Sequence, residues 1–280
     1  MAKLPGNSQL LDAAGRPLNS LLDINRRETD EKVSIYCRLL PLRLCNLLGF
    51  TPLNLSRALA KGLVTIIAPD GLPLARIEVR ARPDDVDTVF FLELSDTSFH
   101  QMELCLCVIR DPDAPRFDVD RDEQGQPNCF TSSGRNIPEE LRAMRAGLFP
   151  HQTRKGLGLF SDFLPLLERF IDALGMEMIV ADLLTYCNAI RYERCGFDYL
   201  QGMRLMQDIN RKFQPGGKYF RRLDGSSAFR LPGMERTVRG RSWAIHDGIM
   251  DEPWDEVRIY KMVGVNAGID TFPDREREIF

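Results

Sequence analysis

Pro150-His-Gln-Thr-Arg-Lys-Gly-Leu-Gly158 is the stretch on which the fold turns. It ends in two glycines, Gly156 and Gly158, preceded by Arg154 and Lys155. Helical periodicity starts directly after it, with Phe160, Phe163, Leu164, Leu167, Phe170, Ile171 and Leu174 on one face and Gly175 as the stop. The first N–H groups of a helix have no partner within the helix, and its dipole adds partial positive charge there. Glycines let an anion approach the backbone, and flanking cations add attraction. A Gly-x-Gly turn alone marks an ordinary turn as readily as a ligand site. The segments that follow narrow the choice. Residues 176–184 are a short continuous apolar run, fit for a buried strand. Residues 185–195 have the pattern of a short helix closed by Gly196, within Asn188-Ala-Ile-Arg-Tyr192-Glu-Arg-Cys-Gly196-Phe197.

Upstream, residues 63–68 and 72–81 flank Pro69-Asp70-Gly71, a hairpin signal. Residues 88–94 and 99–110 flank the polar turn 95–98. Four such strands in succession predict an antiparallel meander. Residues 111–149 then break the rhythm, with one helix that Asn136 can cap and Pro138 in its first turn. Before the strands, residues 29–48 predict a helix divided or kinked by Pro41, and Asn54 can cap a short helix that Gly62 ends. The tail from Gln201 is read as less regular, apart from a strand at 257–263.

Turn, helix, buried strand, short helix and Gly-Phe, in that order, resemble the GCN5-related N-acetyltransferase (GNAT) superfamily. The turn is similar to its Arg/Gln-x-x-Gly-x-Gly/Ala pyrophosphate loop. The later segment is similar to its Tyr-x-x-x-Gly-Phe signature, here Tyr192 to Phe197. The resemblance implies an acyl-CoA donor, acetyl-CoA or another acyl-CoA, and direct transfer to an amine. It implies that Arg154, Lys155, Gly156, Leu157 and Gly158 hold the pyrophosphate, and that the pantetheine arm lies between two splayed parallel strands, the later one in 176–184. Asn188 would sit near the pantetheine or the CoA, and Tyr192 would be the general acid that protonates the leaving thiolate. Four features depart from the family pattern. Thr153 stands where Arg or Gln is common, and Asn188 lies three residues beyond the usual Asn position, which is Thr185 here. Pro165 predicts that the first helix begins later or bends. The segment 111–149 separates the fourth strand from the turn.

The 280 residues carry 37 Lys and Arg against 40 Asp and Glu, a net charge of −3. Such a balance gives no global attraction to duplex DNA or an anionic membrane, so neither is expected as the main partner. No run reaches the apolar length of a spanning helix, and the polar start with Pro5 and Gly6 is not that of a secretory signal, which together predict a cytoplasmic protein. Seven scattered cysteines and three histidines predict reduced thiols and no metal site. Asp118-Val-Asp120-Arg-Asp122 begins like a calcium loop, but Glu123 and Cys129 occupy the positions that need Gly and Glu, leaving a polar hairpin or loop. Glu93 and Glu103 on strands, and His151 beside the turn, are candidate bases. Their plainer roles are structural carboxylates and a solvent-facing turn histidine. The basic stretch 211–241, interleaved with Phe213, Tyr219 and Phe220, suits phosphates, an acidic acceptor or RNA, or simply a solvated arm.

These features predict an α/β (α+β) protein with a GNAT-like mixed, mainly antiparallel sheet flanked by helices. A helical N-terminal extension (1–62) precedes a core at 63–200 with an insert at 111–149, and an irregular C-terminal extension (201–280) follows. The function implied is an acyl-CoA-dependent N-acyltransferase acting on a small-molecule or peptide amine, without a metal; a homodimer is compatible. The alternatives are a non-catalytic acyl-CoA-binding or interaction protein with the same fold, a long-chain N-acyltransferase, and a macromolecule-binding module using the basic tail.

Overall fold

The structure, a computed structural model, describes residues 9–51, 55–128, 131 and 133–276. Seven strands, β1 (Val64–Ile67), β2 (Leu74–Val79), β3 (Phe90–Asp96), β4 (Met102–Ile109), β5 (Met178–Asp182), β6 (Asp198–Gln201) and β7 (Arg258–Met262), form one mostly antiparallel sheet in the order β1-β2-β3-β4-β5-β7-β6. The fold is therefore the mixed α/β class that the sequence predicts. The chain divides into two compact units: Met1–Pro112, Gly156–Asp182 and Tyr260–Asn266 make the first; Asp113–Lys155, Leu183–Ile259 and Ala267–Phe280 make the second.

In the first unit, β1 to β4 are the predicted meander, with antiparallel registers such as Ile66↔Ile77, Ile77↔Leu92 and Leu92↔Cys107. β2 alternates buried and half-buried residues, the period of a strand with one covered face. The helical stretch before the sheet is divided as Pro41 requires: α1 (Leu21–Asn25) and α2 (Thr29–Tyr36) lead to a 3-10 turn (Cys37–Leu39), and α3 (Leu42–Leu47) restarts after Pro41 as N-cap. α4 (Leu55–Ala60) follows; its predicted cap, Asn54, lies outside the described residues, as does Cys129. The buried Asn25 joins helices to sheet. Its amide donates to Leu72 O and Leu74 O at 2.7 Å each, and its carbonyl accepts from the Tyr36 hydroxyl at 2.5 Å.

The helix after the glycine turn crosses positions 160–173. With α5 (Ile137–Arg145) preceding it in the chain, it is α6 (Phe160–Ala173). Phe163, Leu164, Leu167, Phe170 and Ile171 are its buried face, and Phe163 meets Phe90 edge-on at 5.6 Å. Of the two effects expected of Pro165, a later start or a bend, the later start is not seen, since α6 starts at Phe160. A proline in the second turn loses one backbone bond, to Ser161, and burial of five apolar side chains outweighs that loss. Gly175, at φ 73°, closes the helix: Met176 N donates to Ile171 O at 2.9 Å and Gly175 N to Asp172 O at 2.9 Å, a left-handed cap that favours glycine.

The second unit has its own core. Phe117, Val119, Ala143 and Leu148 from the 111–149 insert pack with Phe229 and Trp243 from the C-terminal part. Asn136 caps α5 as predicted, its side chain accepting from Glu139 N. α7 (Tyr186–Arg194) matches the short helix expected there. The C-terminal part is not irregular, which corrects the sequence expectation: it contains α8 (Met203–Phe213), α9 (Lys218–Arg221), a 3-10 turn (Met234–Arg236) and α10 (Val238–His246). α8 buries Met206, Ile209 and Phe213 at helical spacing amid polar residues. Among the described residues, no carboxylate is bonded to the buried Arg241 of α10. Its guanidinium donates to Asn210 Oδ1 (2.8 Å) and Glu235 O (2.7 Å), and lies over the rings of Phe272 (3.3 Å) and Phe213 (5.0 Å).

Glu193 of α7 holds the chain's last stretch. Only 4% exposed, it accepts from the Tyr199 hydroxyl (2.5 Å), the Thr271 hydroxyl (2.6 Å) and Thr271 N (3.0 Å). Replacing it strands three donors in a site with little access to water. Glu193→Ala is expected to lower unfolding free energy by about 3 kcal/mol, and Tyr199→Phe by about 1 kcal/mol, in urea titrations.

Candidate functional site

The predicted site residues fall in both units, and the division passes through the turn itself, between Lys155 and Gly156. The two halves are described in turn.

In the first unit, β4 and β5 run parallel, with the register Met102↔Ile179 and Glu103↔Val180 at their beginnings. β4 continues to Ile109, and its residues grade from buried at Met102 and Leu104 to half-buried from Leu106 onward. The ladder with β5 thus covers only the first part of β4. On its other edge β4 carries a bulge: Leu94 faces Leu104 and Glu93 faces Leu106, so Cys105 is the extra residue, out of the ladder to β3. The exposed Cys105 thiol is pushed up to about 11, by desolvation and then by the carboxylates of Glu103, Glu93 and Asp182. At neutral pH such a thiol is a poor nucleophile. Glu93, a candidate base, is ion-paired with Arg76 at 2.6 Å.

The glycine turn arrives at the far end of β4. A Cβ on Gly156 would lie 3.3 Å from the carbonyl oxygen of Ile109, so this approach of two backbones suits a residue without a side chain. Gly158 has φ 68°. Leu159, the N-cap of α6, makes no side-chain capping bond. Asp162 in the first turn partly answers the helix dipole and is itself paired with Arg43 at 2.9 Å.

In the second unit, Arg154 donates to Ala114 O, and Thr153 is buried with its carbonyl accepting from Phe117 N at 2.8 Å. Lys155 is exposed. Asn188 and Tyr192 are both on α7, Asn188 half-buried and Tyr192 buried. The spacing from Tyr192 to Phe197 has a local cause. Gly196, at φ 85°, follows the C-cap Cys195; Phe197 N donates to Tyr192 O at 3.1 Å and Gly196 N to Glu193 O at 2.9 Å. The rings of Tyr192 and Phe197 meet edge-on at 4.8 Å. This is the six-to-one bond and apolar contact of a Schellman cap.

The basic stretch is largely answered within the second unit. Asp208 pairs with Arg211 and with Lys212 (2.6 Å), and Asp251 with Lys218 (2.5 Å) and Arg222 (2.7 Å). Arg236 lies near Glu235 (3.4 Å) and Glu276 (3.7 Å).

Sequence inspection misses one cluster outright. Glu140 of α5, buried, takes the Arg135 guanidinium and His246 Nε2 (3.0 Å). Arg135 also reaches Asp247 (3.1 Å), which accepts from the Ser227 hydroxyl at 2.7 Å. Arg230 Nε lies 2.9 Å from the same carboxylate, out of line for a hydrogen bond. His151 completes the cluster, its ring edge-on to His246 at 4.8 Å, in a left-handed backbone conformation at φ 66°. It is thus not the solvent-facing histidine of the plainer sequence reading. Glu140, His151 and His246 are far apart in sequence and share no motif, so only their unusual residue types offered a signal.

Compared with family models, with curated proteins and with solved structures, the chain has no match. Among the described residues no helix is long and apolar enough to cross a membrane, and no group of three or more His, Cys, Asp or Glu is placed to hold a metal ion.

Desolvation, then the neighbouring His246 and Arg135 against the pull of Glu140, holds His151 down at about 4, from an ordinary 6.5. The fold favours the neutral ring. That contribution is complete above pH 6.5 and is lost as pH falls towards 4. Stability measured from pH 7 to 4 is therefore expected to fall less steeply in His151→Gln than in the wild type.

Proposed function

We propose that the chain is an acyl-CoA-dependent N-acyltransferase of the GNAT type, using acetyl-CoA or another acyl-CoA and an amine acceptor. One observation carries this reading. The parallel pair β4–β5 is laddered only at its beginning, and the Gly156 backbone returns to the carbonyl at the end of the same β4. A parallel pair laddered at its beginning, with a glycine turn and a helix start at the far end of one strand, suits an extended thioester arm with a pyrophosphate at one end.

In this scheme the backbone at Gly156, Leu157 and Gly158 takes the pyrophosphate, with charge from Arg154 and Lys155. Arg154 contributes less than its charge suggests, because it also binds Ala114 O. The pantetheine arm follows β4, and the N–H of Cys105, out of the ladder at the bulge, is suited to the thioester oxygen. The neutral amine attacks the thioester carbon, the C–N bond forms and the C–S bond breaks; the surplus proton on nitrogen passes to water, and the thiolate leaves as CoA thiol with the proton that the resemblance assigns to Tyr192, which water then restores. The raised Cys105 thiol favours this direct route over an acyl-cysteine intermediate. Asn188, on the same helix as Tyr192, is a secondary contact to the donor.

A second reading, acyl-CoA binding without turnover, has support in the Tyr192 ring, whose burial against Phe197 the helix cap already explains. Calorimetry with acetyl-CoA and a long-chain acyl-CoA tests the donor site. Micromolar binding in the wild type, lost in Gly156→Glu, is expected; absence of binding to both donors in the wild type overturns the assignment. Once an acceptor is found by screening amines, Tyr192→Phe is expected to lower kcat by about a hundredfold with donor binding unchanged. An unchanged kcat removes Tyr192 from the chemistry.

A further inference from the structure

The second unit holds a groove that shares no residue with the predicted site. Its volume is about 380 Å³, and its walls include Met144 of α5, Leu231 and Met234, and Thr237, Gly240 and Trp243 at the start of α10. That volume is within the range of small-molecule sites, about 300–1,000 Å³.

Most of this lining is apolar, and it is held in shape. Trp243 stacks on Phe229 at 5.2 Å, and its indole N–H donates to Leu148 O at 2.9 Å, so the ring is fixed and its one donor is used. A Cβ on Gly240 would lie 2.4 Å from Met234 O, so glycine there lets the 3-10 turn close against α10. Met144 and Met234 give an adaptable surface. Leu231 is 43% exposed, an apolar side chain that folding leaves in water and that a bound apolar group would cover.

One polar group in the lining has a bond to spare. Thr237 is the N-cap of α10, and its side-chain oxygen accepts from Gly240 N at 3.0 Å. A threonine hydroxyl also has one hydrogen to donate. Among the described residues no acceptor takes that hydrogen, so it is open to an oxygen on a ligand. The charged side chain in the lining, Arg239, is already engaged, its guanidinium donating to Gly147 O at 3.1 Å, and it has no part in the recognition inferred below. No described acidic residue lines the groove, so a bound cation would find no counter-charge there. An apolar hollow with one hydroxyl donor complements a molecule that is uncharged, apolar over most of its surface, and provided with one acceptor.

We propose that this groove binds a small neutral carbonyl compound, a ketone or an ester, with its aromatic or aliphatic body on Met144, Met234 and Trp243 and its carbonyl oxygen on the Thr237 hydroxyl. The proposal is independent of the acyltransferase reading, since every residue in it lies in the second unit and none belongs to the donor site.

The test uses acetophenone and 2-heptanone as probes, with phenylacetate and hexylamine as charged counterparts, and reads binding by protein NMR. It follows the methyl groups of Met144 and Met234 and the indole N–H of Trp243, assigned by the loss of the other indole signal in Trp254→Phe. Saturable shifts at these three groups are expected with both ketones, and the charged molecules should bind about fivefold more weakly or less. Thr237→Ser keeps the hydroxyl and should bind the ketones as the wild type does. Thr237→Val should weaken them about fivefold, the worth of one neutral hydrogen bond. Leu231→Asn, at an exposed position outside helix and strand, should weaken them about threefold through lost apolar contact. Absence of saturable shifts with both ketones up to about 10 mM, an affinity too weak to matter for a built site, overturns the proposal. Equal binding of ketones and charged molecules overturns it as well, and so does an affinity for the ketones that neither Thr237→Val nor Leu231→Asn changes.

Discussion

Strand β4 ends at a carbonyl, Ile109 O, that the backbone at Gly156 approaches closely enough to leave little room for a side chain. The chain leaves this strand, passes through 113–155 in the second unit, and comes back to the same carbonyl at Gly156. The insert is therefore an excursion whose two ends meet. Closing a long loop costs little more than closing a short one, since the entropy grows only with the logarithm of length. A glycine turn can thus stay at the end of β4 although 111–149 separates the two in sequence. The helix that follows begins where the turn leaves it, and the ladder to β5 is registered at the beginning of β4.

The insert and the C-terminal part explain each other. α5 alone is nine residues, too short to be stable in water, and its buried side chains need a partner. Phe229 and Trp243 supply it, and Leu148 O takes the indole N–H. The same packing decides which charges can be buried. Glu140 is answered by Arg135 and His246, Glu193 by three donors, and Arg241 by amide, carbonyl and aromatic faces. Buried ions of this kind are weak sources of stability while intact and expensive when one partner is removed. They specify which segments meet more than they strengthen the meeting.

The parts legible in sequence were those with local causes. The meander followed from alternation and from Pro69-Asp70-Gly71, α6 from its apolar period and Gly175, and the α5 cap from Asn136. The helices after Gln201 were hidden because their polar faces dominate the composition. Met206, Ile209 and Phe213 carried the helical period, and a search for period alone would have found α8. The later helix start expected from Pro165 failed for the opposite reason: a local rule gave way to a tertiary one, the burial of the face around it. The histidine cluster is a product of packing between distant segments, and no spacing in the chain joins His151 to Glu140 and His246.

The two motifs that drew attention to a GNAT-like site differ in what they can mean. Tyr-x-x-x-Gly-Phe at a helix end is what a Schellman cap requires, with glycine in the left-handed position and an apolar contact across it. Such a cap would be selected by any helix ending in this way, whatever chemistry lay nearby. It therefore speaks for the fold and says little about catalysis. The turn at Gly156 is different, because a cap does not explain why its backbone should approach the end of β4, the strand that pairs in parallel with β5. Donor binding thus rests on the turn, and turnover on one atom, the Tyr192 hydroxyl. Phenylalanine at 192 keeps the ring that the cap uses and removes only that oxygen, so it separates a structural tyrosine from a chemical one where alanine would confuse the two.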